Sequence, residues 1–103
     1  MIERLALPAW STPPRPLDDW TGRLAATGQK VTVDRESPGS AWVEVAALRL
    51  RGYAVIEGGH VAAINFELHD LDPTAARDLI EAAARDLGWE VHDEEDEPDD
   101  IED

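Results

Sequence analysis

The chain has 103 residues, no cysteine and a formal net charge of −14, which bounds it to one domain with a single core and excludes a disulfide framework or a thiolate metal site. Its one lysine and eight scattered arginines form no cluster that could neutralise phosphates, so direct nucleic-acid binding is not expected. No run approaches the ~20 apolar residues of a membrane-spanning helix, and the amino terminus lacks the basic region and apolar stretch of a secretory signal. The expectation is a soluble, cytoplasmic protein.

Residues 2–7 carry a pattern compatible with a short edge strand. From Pro8 to Pro16 four prolines fall in nine residues beside the buried-type Trp10, which favours a stiff, extended connector without internal hydrogen bonds. Pro13 and Pro16 also make a PxxP match, of a kind that any proline-rich stretch produces. The segment 1–16 is therefore read as a proline-rich lead into a domain spanning 17–92, with an acidic tail over 93–103.

Leu17, Trp20 and Leu24 recur at helical spacing, Asp18 and Asp19 sit where the helix dipole favours acids, and Gly28 suits a left-handed cap. This predicts a first helix over 17–27 anchored by Trp20. Val31 and Val33 alternate with polar neighbours, which predicts a short strand, and Pro38-Gly39 predicts a turn.

Residues 42–68 read as a three-stranded antiparallel meander. Gly58-Gly59 suits a two-residue hairpin loop, and counting outward pairs Glu57 with His60, Val55 with Ala62 and Tyr53 with Ile64. A second turn at Arg51-Gly52 would complete the meander. Opposed residues share a face, so Trp42, Leu48, Leu50, Tyr53, Val55, Ile64, Phe66 and Leu68 are expected inside, with Glu44 a misfit among them. The other face then holds Val43, Val45, Ala47, Ala54, Ile56, Val61 and Ala63. Such an apolar exterior predicts cover by a partner, most simply a second copy of the chain. Its polar end carries Arg49, Asn65, Glu67 and His69.

The second helix has well-marked ends: Asp72 as N-cap, Pro73 in the first turn and Gly88 just past the end. Leu71 is placed to pack on Ala76 as a staple, and Ala76, Leu79, Ile80, Ala83 and Leu87 form the buried stripe. Residues 89–92 read as a last strand, parallel to the strand before the helix through a right-handed crossover. Core anchoring is the expected role of Trp20, Trp42 and Trp89.

Pairing of that last strand beside the one ending at His69 would bring His69-Asp70 and His92-Asp93 together with Glu67. Imidazole and carboxylate are the donors of divalent-metal and acid–base sites, but the spacing matches no ligand signature, and no cofactor or catalytic motif names a reaction. Gly58-Gly59 joins two strands and so is no phosphate loop. The polar residues Arg49, Asn65, Glu67, His69 and His92 remain a candidate cluster without an assigned chemistry.

The fold class expected is α+β: a two-layer sandwich of a four- or five-stranded antiparallel meander with two helices on one face, in the order α-β-β-β-β-α-β. From Asp93 to Asp103 nine of eleven residues are acidic, which predicts a disordered tail that attracts basic partners. The functional expectation is a non-enzymatic interaction or regulatory module, acting as a homodimer through its apolar sheet face and on a basic protein through its tail. Two alternatives stand beside it: an acidic nucleic-acid mimic that inhibits a basic partner, and a small metal-dependent enzyme using His69, His92 and nearby carboxylates.

Overall fold

The computed structural model describes residues 2–9, 12, 13 and 15–93. Six strands and two helices follow in the order β1 (Ile2–Pro8), α1 (Leu17–Ala25), β2 (Thr32–Ser37), β3 (Ser40–Val45), β4 (Leu50–Glu57), β5 (His60–Leu68), α2 (Thr74–Leu87) and β6 (Trp89–Asp93). They form one antiparallel sheet of spatial order β2-β3-β4-β5-β1-β6. Both helices lie on one face: Trp20 of α1 packs on Phe66 and Trp89, and Arg4 of β1 reaches Glu81 of α2 at 3.0 Å. The expected α+β layout holds, with six strands where the sequence predicts four or five.

The additional strand is β1, which lies inside the sheet, between β5 and β6, and not at its edge. Because β1 is antiparallel to both, β5 and β6 run parallel, as expected of strands joined through a helix, but they do not pair with each other. Ala6 pairs with Ile64 at the last step of the β1–β5 ladder. Beyond it the proline-rich connector takes over, and the Val61 amide donates to the Arg15 carbonyl at 2.8 Å. Residues 2–8 are thus an integral part of the domain.

The Gly58-Gly59 turn and the Glu57–His60 pair are as the sequence predicts. One step further the register departs. Ile56 pairs with Val61 but Val55 pairs with Ala63, so Ala62 is an extra residue and β5 is bulged there. A bulge shifts the pairing by one, and a one-residue shift exchanges the two faces. The chain also does not reverse at Arg51-Gly52. It reverses through a single 3-10 turn at Ala46–Leu48 and Arg49, a non-glycine residue in the left-handed region at φ 52°. Gly52 lies within β4, opposite Phe66. A Cβ at Gly52 would meet the Phe66 ring at 2.9 Å, so the glycine is there for close approach and not for a turn.

As a result Val43, Val45, Ala54, Ile56 and Val61, expected on an outer interface, are buried in the core with Ala6, Leu50, Ile64, Phe66 and Leu68. Of that expected set, Ala47 is exposed in the 3-10 turn and Ala63 is half-buried on the opposite face. Trp42, Tyr53 and Val55, expected inside, lie on the face away from the helices. Trp20 and Trp89 are core residues as anticipated, meeting edge to face with ring centroids 5.4 Å apart.

Helix α2 is closed at both ends as its sequence dictates. The Asp72 carboxylate accepts from the Thr74 amide at 3.2 Å and from the Thr74 hydroxyl at 2.7 Å, and Gly88 takes a left-handed φ of 76°. The expected staple does not form, since Leu71 is fully exposed. The side-chain and then the backbone hydrogen bond from Thr74 hold the Asp72 carboxyl below its ordinary 3.8. A depressed carboxyl stabilises the fold above its unfolded value, and that contribution fades as pH falls through the folded value.

Two outcomes follow for stability. Gly52→Ala should lower unfolding free energy in urea melts by about 1–3 kcal/mol through the clash with Phe66, and Phe66→Leu in the same chain should recover part of that loss. Asp72→Ala should lower the melting temperature at neutral pH, whereas Asp72→Asn, still a good cap, should keep it there and flatten its decline in the acid range below 3.8.

Candidate interaction face

The register builds the outer face row by row. Across the sheet run Asp34, Trp42, Tyr53, Asn65, Leu5 and His92, each opposite the next. On one side of this row lie Glu44, Arg51, Glu67 and Glu3; on the other lie Val55, Ala63, Leu7 and Glu90. Both helices are on the opposite face, so none of the described helices covers these side chains. The apolar centre is consequently half-open: Leu5 and Val55 are each 37% exposed, and Trp42, Tyr53 and Leu7 are partly buried, the first two against each other. A free sheet face normally alternates in polarity toward water; this one keeps an aromatic and aliphatic middle with carboxylates around it.

Trp42 is the best-fixed member of the face. Its Nε1 donates to Glu36 at 2.9 Å, Tyr53 meets it at 60° with centroids 5.0 Å apart, and the Arg51 guanidinium stacks over its ring at 4.2 Å. Glu36 lies at the irregularity of β2 between Arg35 and Ser37. Thr32, Asp34, Glu36, Trp42, Glu44 and Arg51 line a shallow cavity of about 160 Å³. Three carboxylates and one guanidinium therefore line the same cavity, and the guanidinium lies over the Trp42 ring in a cation–π contact.

The charges are segregated between the faces. Among the described residues, Arg51 is the only lysine or arginine at the outward positions of the ladders, against Glu3, Asp34, Glu44, Glu67 and Glu90. Arg4, Arg15, Arg23, Arg77 and Arg85 belong to the helical side, where acids meet several of them: Arg4 with Glu81, Arg15 with Asp19, and Arg23 with Asp86. A groove of about 300 Å³ beside α1 is lined by Arg15, Asp18, Asp19, Gly22, Arg23 and Leu87, and its charges are balanced within it.

Of the polar cluster expected from sequence, Asn65, Glu67 and His92 share the outer face but do not converge. His92 stands opposite Leu5 on β6, and its Nε2 lies 3.3 Å from Glu90; His69 lies beyond the end of β5, 3.2 Å from Glu67. The strand β1 separates the two histidines, so the expected meeting of His69-Asp70 with His92-Asp93 does not occur. Among the described residues no group of three metal-ligating side chains comes together. Arg49 is tied to His69 only through backbone, its carbonyl accepting from the His69 amide at 3.0 Å. The acidic residues 94–103 and Trp10 lie outside the described residues.

Sequence reasoning missed Trp42, Tyr53, Leu5 and Val55 as surface residues. One signal was available: Glu44 has the same parity as Trp42 on β3, and a carboxylate facing the core would be costly. Placing Glu44 outward carries Trp42 outward with it. No family model, curated protein or solved structure matches the chain, so the reading of this face rests on its own geometry.

The Trp42–Arg51 contact should show in a double-mutant cycle. Trp42→Leu and Arg51→Leu, made singly and together, should give a coupling of about 0.5–1 kcal/mol in urea melts, the size expected for an exposed cation–π pair.

Proposed function

We propose that the protein is a non-enzymatic interaction module that docks another protein on the outer face of its sheet. The observation that carries this reading is the open apolar centre of that face, with Trp42, Tyr53, Val55 and Leu5 held on neighbouring strands and neither α1 nor α2 over them. Aromatic residues held at the middle of a polar-rimmed patch are the usual anchors of protein interfaces. The rim is acidic, and the sequence beyond β6 adds acids from Glu94 to Asp103, so electrostatics favours a basic partner.

A second copy of the chain is the weaker occupant. Packing two of these faces together would set carboxylate rims against each other with one arginine on each side, an arrangement that repels at low ionic strength. Five of the seven residues first expected to form a homodimer, Val43, Val45, Ala54, Ile56 and Val61, are in the core, so a dimer through them has lost its basis.

A photo-crosslinking residue placed at Val55 should capture a defined protein in the native cells, while the same residue at Asp78, on the exposed side of α2, should not. Equal capture from both positions, or from neither, would refute docking on this face. Light scattering at low salt should give the monomer mass, and a dimer that crosslinks through Val55 would replace the basic partner with a second copy.

A further inference from the structure

We infer that the Trp42 platform is the subsite for an arginine side chain of the partner, so that the docked segment is cationic and its anchor is a guanidinium seated between Trp42 and the carboxylates of Asp34, Glu36 and Glu44. This rests on the docking reading above and adds the chemistry of the occupant. The argument begins with charge. Asp34, Glu36 and Glu44 line the same cavity as Arg51, and one guanidinium leaves that cluster two negative charges in excess. Such an excess in a walled surface cavity raises the local concentration of cations.

The second part of the argument is the shape of what is already there. Arg51 lies 4.2 Å from the centre of the Trp42 ring, so the ring already carries a guanidinium in a cation–π contact, and the docked arginine takes its place there. The ring that receives it is held from two directions, by the Glu36 hydrogen bond and by the Tyr53 edge, and a preorganised aromatic surface loses little freedom on binding. A guanidinium stacks on aromatic planes and pairs bidentately with carboxylates, which an ammonium does not do as well. The apolar residues Val55 and Leu5 continue the face beyond this cavity. They suit a segment in which apolar side chains alternate with the cationic ones, as they do along an extended strand. Residues 94–103 hold no arginine or lysine and carry the same sign as the cavity, so they do not supply the guanidinium.

The test uses the full-length, isotope-labelled protein and two synthetic peptides: one alternating arginine with leucine, the other identical with neutral citrulline for arginine. The arginine peptide should shift the Trp42 indole Nε1 resonance and the amides of β3 and β4, and citrulline should weaken binding by roughly tenfold or more. The paired variant Asp34→Asn with Glu44→Gln should weaken it comparably while the remaining spectrum stays unchanged, which separates loss of charge from loss of fold. Trp42→Leu should do the same. Equal binding of the citrulline peptide would overturn the inference, and so would shifts confined to residues 94–103 or to the helical side. If neither peptide binds while the Val55 crosslink forms, the guanidinium subsite is refuted and docking stands; if the crosslink fails too, both are refuted.

Discussion

The extra residue at Ala62 determines which half of the sheet's side chains meets the helices. Strand pairing beyond a bulge is offset by one, so a single inserted residue sends Ile64 and Ala54 inward together and Tyr53 and Val55 outward together. The core then closes on β-branched and small residues: Val43, Val45, Ala54, Ile56 and Val61, with Trp20 and Phe66 as the large fillers. Gly52 belongs to the same solution. With Phe66 turned inward, its ring needs the space that a Cβ at position 52 would take, and the absence of that atom lets the ring lie against the neighbouring strand.

The two faces of the sheet differ in how their charge is managed. On the helical side arginines meet carboxylates in pairs, and even the buried Arg4 has Glu81 within 3.0 Å. On the outer side the carboxylates outnumber the one cation, which is engaged with Trp42. A protein that needed only solubility could have paired its acids with arginines on both surfaces. Here an acidic rim surrounds an apolar centre, so the face repels its own kind at long range and offers contact area at short range.

The helices and the Gly58-Gly59 turn were legible in the sequence because local rules govern them. Asp72, Pro73 and Gly88 mark α2 to within a residue or two, Leu17, Trp20 and Leu24 mark the buried side of α1, and Gly58-Gly59 marks the hairpin. The faces of the meander were not legible, since a bulge leaves no signature in residues such as Ala62-Ala63 and a glycine in a strand reads as a turn. Glu44 alone pointed to the correct parity. The place of β1 was hidden for another reason: its partners are set by contacts more than fifty residues away along the chain, and the pattern of Ile2 to Leu7 says nothing about which strands flank it.

That place of β1 has a consequence for how the molecule assembles. β1 precedes its partners, yet it must slot between β5 and β6, so its neighbours on either side exist only after most of the chain has been made. The meander of β3, β4 and β5 can form from contacts close in sequence, but the sheet cannot be finished until β6 closes over β1, and such long loops slow folding. Until then the inward side of β5, with Ile64, Phe66 and Leu68, has an open edge beside it. The chain's solubility during synthesis depends on that interval being short, or on the edge being shielded while it lasts.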